Sequence, residues 1–331
     1  MNSATTPAEP LWRKLIGSVT IKETFALIVV YIGIFIALSF LSEFFLTTQN
    51  LTNLLMASAA LGIVAVLTTM LMVSGGLDLS VGSTIALTGI VIAVLQEPLG
   101  IWLAALVGLL TGATVGALNG LLVTGVGINP VITTLGMLYI ARGLAFVLAN
   151  GLTIPVFNEQ FSQLGQANIL GLPIPVMVAL FLFVIGMVVM NYTTYGRAMY
   201  AVGGNAEASF LAALPVKSYR FWAYVLCGLS AGLAGTLLTA RLYAAAPQAA
   251  TGFEFSVIAA VVLGGTSLAG GKGTLLGTFV GVLILGTLNN GMTLLSLSSD
   301  YQQMVQGFVL LLAVGIDQFR LGNIDIAVLR K

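Results

Sequence analysis

Long apolar runs, separated by short polar or glycine-rich segments, occupy most of the chain between residues 25 and 318. A helix needs roughly 20 apolar residues to cross a bilayer, and it satisfies its own backbone polar groups where no water is available. The pattern therefore predicts an all-α integral membrane protein with about ten transmembrane helices, several of them interrupted by glycine. The predicted spans are 25–43, 52–74, 80–96, 101–124, 129–149, 173–191, 219–245, 255–269, 274–295 and 301–318.

The composition supports this class. Of the 331 residues, 58% are hydrophobic and 7% are charged, whereas about 25% of the residues in a soluble globular protein are charged. The length leaves room for many spans and for no large soluble domain. We expect a leader at 1–24, a membrane domain at 25–318 and a tail at 319–331. The first apolar run lacks a signal-peptide cleavage pattern and is predicted to remain as a helix.

Basic residues in short loops stay on the cytoplasmic side of a membrane. If the N-terminus is inside, the predicted outer loops contain no Lys or Arg, and both termini are cytoplasmic. The basic residues that then fall at the inner side are Arg13, Lys14, Lys22, Arg197, Lys217, Arg220, Lys272, Arg320, Arg330 and Lys331.

The chain has one cysteine, Cys227, and no histidine. An intrachain disulfide and an ordinary His/Cys metal site are therefore excluded, and we expect neither a metal nor a cofactor. A formal charge of +1 gives no reason to expect nucleic acid as a partner.

Two glycine-rich segments, 73–83 and 263–272, share a double glycine, then a leucine and a further glycine, and each precedes an apolar helix. Internal duplication is a common plan among transporters, with the two copies either inverted or parallel. The glycines allow two interpretations. They interrupt helices that line a substrate path, or they allow close helix packing or a tight cytoplasmic turn.

The second segment only superficially resembles a phosphate-binding loop. Such a loop requires Gly-Lys followed directly by Ser or Thr, but Gly271-Lys272 is followed by Gly273. ATP hydrolysis is therefore not expected on this chain.

Polar residues within the apolar runs are candidates for a translocation path. Asp78 fits a proton switch, and it also fits a helix-capping role shared with Ser80. Arg142 lies deep in its span, where it should face the bundle interior or a wet cavity and could pair with a carboxylate such as Glu159. The other candidates could hydrogen-bond a polyol in transit or join neighbouring helices: Asn119, Thr133, Asn289 and Asn290.

The segment 192–220 is the one long internal segment of mixed polarity, and basic residues flank it. A turn at 203–205 can begin a short amphipathic helix at 206–214, which Pro215 stops. A solvated connector is one interpretation. We favour a cytoplasmic docking surface, because a helix can transmit a push from a partner and partner grooves often bind amphipathic helices.

With these residues in view, the chain resembles the membrane permease of a ribose-type (carbohydrate uptake family 2) ATP-binding-cassette importer. The resemblance covers nearly the whole chain after residue 20 and is closest to ribose permeases. The segments that carry it are 44–53, 74–83, 142–143, 195–197, 203–205, 258–273 and 285–291.

The resemblance implies a non-catalytic subunit of the bacterial inner membrane, surrounded by lipid and paired with a second permease copy in a homodimer or heterodimer. It also implies an ABC ATPase below, a periplasmic sugar-binding protein above and a small sugar as cargo. The residues that would couple to the ATPase are Gly203, Gly204, Asn205, Glu207 and Pro215.

One departure affects the choice of sugar. Many relatives carry a carboxylate directly after a Glu-Leu pair, where this chain has Glu254-Phe255 followed by Ser256. Ribose, or another pentose, is the expected cargo, although related permeases carry other sugars.

The main alternative function, from a different class of transporter, is a self-sufficient proton- or ion-coupled carrier that uses Asp78. A membrane enzyme is weakly supported, since no clustered acids are present.

Overall fold

The computed structural model describes residues 19–169 and 171–320, and these residues are mainly helical. Most of the predicted leader and tail lies outside this range. Two short antiparallel pairs join β1 (Ile154–Pro155) to β4 (Ala244–Ala245) and β2 (Asn168–Ile169) to β3 (Leu172–Pro173). The helices are α1 (Val19–Leu41), α2 (Thr48–Val73), α3 (Val81–Leu99), α4 (Ile101–Leu121), α5 (Pro130–Leu148), α6 (Glu159–Gln166), α7 (Ile174–Tyr192), α8 (Thr194–Gly204), α9 (Ala206–Leu211), α10 (Val216–Leu242), α11 (Phe253–Leu263), α12 (Leu275–Leu294) and α13 (Ser299–Arg320), and a π-helical turn, Leu122–Val126, extends α4.

Eight helices of the described residues are long and apolar enough to cross a membrane, namely α1, α2, α3, α4 with its π-helical turn, α5, α7, α10 and α12. They correspond to eight of the ten predicted spans, and the all-α membrane class is confirmed. The predicted span 255–269 contains only the 11-residue α11. The predicted span 301–318 lies within the 22-residue α13, which is not one of the eight.

The helices differ in how much of their surface is covered. In α2, 78% of the most apolar 18-residue window is buried, whereas the corresponding value for α1 is 11%. The bundle is therefore built around α2, α3, α10 and α12, and α1 lies at its periphery.

Glycines allow α4 and α10 to approach closely. A Cβ atom added to Gly112 would lie 2.5 Å from the carbonyl oxygen of Gly228 and 2.7 Å from the Cα atom of Gly232. Small residues are typical where membrane helices pack with their backbones nearly in contact. This contact positions α10, which carries two side chains of the site described below.

The segment 243–252 re-enters the bundle after α10. Ala245 packs beside Gly89 of α3, and the Ala250 carbonyl packs beside Gly82, two turns closer to the start of that helix. Seven helical residues span about 10 Å, so the segment descends by about that distance before α11 begins at Phe253. This descent explains why α11 is short: the loop 243–252 replaces the first part of the crossing, and residues 264–269 of the predicted span lie in the turn after the helix.

Candidate translocation path and coupling surface

The two glycine-rich segments end their helices with the same backbone motif. Gly75, which follows α2, has φ +84°, and Gly265, which follows α11, has φ +90°. In each turn the left-handed glycine and the next residue donate their N–H groups back to the last helical turn, as in a Schellman cap. These bonds join Gly75 to Met72 (2.9 Å), Gly76 to Leu71 (3.0 Å), Gly265 to Val262 (2.8 Å) and Thr266 to Val261 (3.2 Å). The glycines therefore make tight turns at the equivalent residues 74–76 and 264–266. The loops that begin with them, residues 74–80 and 264–274, are called the first turn and the second turn below.

These two turns meet at one end of the bundle. The Gly271 N–H donates to the Val73 carbonyl at 2.9 Å, and a Cβ atom added to Gly270 would lie 3.0 Å from the Cα atom of Gly75. The carboxyl ends of α2 and α11 thus lie together, and the two helices pack side by side and run toward this end. The two glycine-rich segments therefore have the same, parallel orientation in the structure.

Side chains of α10 hold the first turn. Arg220 Nε donates to the Ser74 carbonyl at 2.9 Å. The Tyr224 hydroxyl donates to the Leu77 carbonyl at 3.2 Å and accepts the Leu77 N–H at 3.3 Å. Buried backbone groups beyond a helix end require hydrogen-bond partners. These two side chains supply the partners of the Ser74 carbonyl and of the Leu77 N–H and carbonyl.

Asp78 lies between this turn and α3, and it is 1% exposed. Its Oδ1 atom accepts the Ser80 N–H at 2.8 Å and the Ser80 hydroxyl at 2.6 Å. Asn119 Nδ2 from α4 lies 3.3 Å from Asp78 Oδ2 and 2.9 Å from Ser80 Oγ. Ser80 is the N-cap residue of α3, but its side chain makes no capping bond. Asp78 therefore holds Ser80, and with it the start of α3, although Asp78 itself lies two residues before the N-cap position.

The predicted docking segment forms two helices rather than one. Between them, Asn205 Oδ1 accepts the Ala208 N–H at 2.9 Å and caps α9. Pro215 is the residue that immediately precedes α10. Gly203 packs directly on the Val73 carbonyl and Gly271, whereas a Cβ atom added to Gly204 would meet open space. The end of α8 thus packs against both glycine turns.

Tyr200 ties α8 to the second turn by donating its hydroxyl to the Gly273 carbonyl at 2.8 Å. Burial raises the pKa of Tyr200, so the hydroxyl remains a donor. The opposite side of the segment is exposed and includes Phe210 (71%), Leu211 (79%) and Glu207. The residues predicted from sequence do not include Tyr200, Phe210 or Leu211, although a pair of large apolar residues in a polar connector is a usable signal.

A cavity of about 270 Å³ lies between α2, α12, α13 and the start of α11. Three polar side chains form a chain along it: the Ser256 hydroxyl donates to Gln306 Oε1 at 3.1 Å, and Gln306 Nε2 donates to Asn289 Oδ1 at 3.1 Å. The residues that line the cavity include no Lys, Arg, Asp or Glu. They are Ala57, Leu61, Ala250, Thr251, Gly252, Phe253, Ser256, Gly286, Asn289 and Gln306.

Residues 50–314 match a sequence family described as branched-chain amino acid transport system / permease component. The chain belongs to this permease family. It is 44% identical over 287 residues to the ribose import permease protein RbsC of Escherichia coli (strain K12), an alignment that covers 84% of this chain and 88% of the relative. It is 41% identical over 294 residues to RbsC of Bacillus subtilis (strain 168), covering 87% and 91%.

A third relative is the L-arabinose ABC transporter permease protein AraH of Azospirillum brasilense. It is 38% identical over 295 residues, covering 89% of this chain and 87% of the relative. No solved structure matches the chain. The matches and the eight membrane-crossing helices together identify a multi-pass integral membrane protein of the permease class.

The structure distributes the predicted path residues of this permease over several places. Asp78 and Asn119 share one buried network. Asn289 lines the cavity, whereas Asn290 exchanges amide hydrogen bonds of 2.7 Å and 3.0 Å with Asn50 and joins α12 to α2. Thr133 is buried, and its hydroxyl has no hydrogen-bond partner among the described residues.

Arg142 holds the re-entrant loop of the permease. Its Nη1 atom donates to the carbonyls of Pro247 and Ala249, each at 2.7 Å. The structure thus bonds Arg142 to backbone carbonyls and places the Glu254 carboxylate within electrostatic reach of it. A carboxylate neighbour is what the sequence predicted, with Glu159 as the example. Within the described part of the chain, no three His, Cys, Asp or Glu side chains are grouped so that they could hold a metal ion.

Proposed function

We propose that this chain is the permease subunit of an ATP-driven importer that moves a monosaccharide, ribose or another pentose, across the bacterial inner membrane. The similarity to two ribose import permeases and to an L-arabinose permease supports a sugar as cargo. The chain performs no covalent chemistry in this role. An ABC ATPase, a periplasmic sugar-binding protein and a second permease copy complete the transporter.

The observation that carries the coupling role is the position of the α8–α9 segment against both glycine turns. Gly203 contacts the Val73 carbonyl at the end of α2 and Gly271 in the second turn. An inward force on α8 from an ATPase therefore reaches the end of α2 and the loop before α12 through backbone contacts, which are less compliant than long side chains.

The exposed side of the same segment is suited to a partner groove. Phe210 and Leu211 supply exposed apolar surface, Glu207 supplies a charge, and Gly204 leaves the approach to the backbone open. Short helices that present apolar anchors dock in hydrophobic grooves. Asn205 and Pro215 then act indirectly, because they set where α9 and α10 begin.

The contacts of Asp78 favour a structural role over that of a proton switch. Its partners, Ser80 and Asn119, are neutral donors that order the start of α3. A proton-coupled carrier needs a carboxylate whose charge changes during transport. The importer is therefore the function that we adopt.

The test is uptake of radiolabelled ribose into vesicles that contain this chain, with and without its ATPase, its binding protein and internal ATP. We expect uptake only when all components are present. Uptake by the chain alone, driven by a proton gradient, would contradict the importer and support a secondary carrier.

A second experiment tests the docking surface. Gly204→Trp and Glu207→Lys alter the exposed side of the segment and should uncouple ATP hydrolysis from uptake while the protein still inserts. Glu159→Lys is the matched control, because Glu159 is also an exposed carboxylate on a short helix and lies outside the segment. Normal sugar-stimulated ATPase activity and uptake in both variants would contradict the proposal that this segment docks the ATPase.

A further inference from the structure

The 270 Å³ cavity differs from a helix-packing defect in the chemistry of its lining. One wall carries a hydroxyl and two carboxamides, from Ser256, Asn289 and Gln306. The other lining residues are small or aliphatic, apart from Phe253 and Thr251. Polar side chains in a membrane interior are costly and usually mark an interior or water-filled path. Their concentration beside a void is thus a feature of a ligand site.

The lining also selects the class of ligand. Carboxamides and hydroxyls both donate and accept hydrogen bonds, as do the hydroxyl groups of a sugar. A zwitterionic amino acid would carry two charges into the cavity, and buried charges require charged or well-organised partners. The residues that line the cavity include no charged side chain, so a neutral polyol fits the wall and an amino acid does not.

The position of the cavity fits a path. Asn289 projects from α12 and Gln306 from α13, while Thr251 and Gly252 come from the re-entrant loop just before α11. Binding sites in transporters commonly lie where a membrane helix is interrupted by extended backbone. The cavity lies at such an interruption in this chain.

We propose that this cavity is a transient binding site for a neutral monosaccharide, in which Ser256, Gln306 and Asn289 exchange their mutual hydrogen bonds for bonds to sugar hydroxyls. This inference rests on the proposed import function and identifies the part of the permease that distinguishes a neutral sugar from an amino acid. At 270 Å³, the cavity is slightly smaller than the sites of about 300 Å³ or more that hold drug-sized ligands.

The test uses accessibility of a single introduced thiol, because the only native cysteine, Cys227, is buried. Asn289→Cys is reconstituted with the ATPase and the binding protein, and its reaction with a water-soluble thiol reagent is timed during ATP turnover. We expect ribose to slow the reaction several-fold and valine to have no effect. Gln303→Cys is the matched control, since Gln303 is exposed on α13 and does not line the cavity, and ribose should leave its rate unchanged.

A charge substitution gives a second readout. Asn289→Asp keeps the shape of the side chain and adds a charge that the cavity does not compensate, so we expect ribose uptake to fall about tenfold, as for one uncompensated polar group, with thermal stability in detergent measured in parallel. Gln303→Glu should retain uptake. The proposal is overturned if the wild-type transporter imports ribose while ribose fails to protect Asn289→Cys, or if Asn289→Asp transports normally. Absence of uptake of ribose and of every other pentose by the wild-type complete transporter would instead refute the proposed function.

Discussion

The two glycine turns have the same backbone geometry and different surroundings. In the first turn, Ser74 and the nearby Asp78 and Ser80 are each no more than 1% exposed. In the second turn, Thr266 and Ser267 are also buried, but Leu268 is 36% exposed and Lys272 is exposed as well. The same helix-ending motif therefore leads once into a buried loop and once into a loop whose tip reaches the surface.

The way each turn is held explains this difference. Arg220, Tyr224 and Asn119 reach the first turn from two other helices. The second turn is bridged internally by the Ser267 N–H, which donates to the Lys272 carbonyl, and the Tyr200 hydroxyl and the Val73 carbonyl hold its far end at Gly273 and Gly271. At its tip, Asp317 Oδ2 accepts only longer bonds of 3.3 Å and 3.4 Å. A turn that is buried and bonded along its length acts as a fixed support, whereas a turn with an exposed, loosely held tip can move at lower cost. We expect motion of α8 to displace the second turn more than the first.

The largest expected effect comes from the contact that joins the two turns. Gly203→Ala places a methyl group against the Val73 carbonyl and Gly271, where only backbone atoms are available to move. Overpacking of this kind costs about 1–3 kcal/mol, and we expect ribose uptake to be largely lost. Gly204→Ala is the control, because its added methyl group meets open space. Equal uptake by the two variants would show that Gly203 does not link the turns.

Arg220→Met should selectively weaken the first turn. It leaves the Ser74 carbonyl without the guanidinium bond, and an unsatisfied buried polar group costs about 1–3 kcal/mol. The expected result is a lower unfolding temperature of the purified permease. Lys217→Met, at an exposed position on the same helix, should leave that temperature unchanged. If Arg220→Met is as stable as the control, Arg220 does not stabilise the first turn.

The paired substitutions Gly75→Ala and Gly265→Ala compare the turns directly. Both positions have left-handed φ values, which cost a non-glycine residue about 1–2 kcal/mol. Gly75→Ala should destabilise more, because its Cβ atom would also lie 3.0 Å from the Arg220 guanidinium. Gly136→Ala, in an open helical position of α5, is the control for thermal unfolding. A larger loss at residue 265 would reverse the proposed order of rigidity.

The smallest effect is expected for Asp78→Asn. An asparagine side chain retains an oxygen that can accept the Ser80 N–H, so the loss of stability should lie at or below the usual cost of removing a capping group, about 0.5–2 kcal/mol. ATP-driven uptake should persist, as measured in vesicles beside the wild-type permease. Abolished transport in a stable, correctly inserted variant would restore the hypothesis that Asp78 is a proton switch.

The predictions from sequence were most accurate where neighbouring residues decide the structure. Apolar runs of membrane-spanning length identified eight crossing helices, and the double glycines marked two helix ends. The prediction was less accurate at 255–269 because apolar composition does not distinguish a full span from α11 preceded by a loop. That loop is held by Arg142 through carbonyls more than 100 residues away in sequence.

Amino-acid order alone determined the membrane class, the helix-forming segments, the glycine turns and the location of the polar segment 192–220, because hydrophobicity, backbone freedom and capping act over a few neighbouring residues. Only the tertiary structure decided that Asn119 meets Asp78, that Gly203 lies between the two turns, and that Gln306 joins Asn289 beside a cavity. These contacts depend on how distant helices pack against one another, and the spacing of residues along a single helix does not specify that packing.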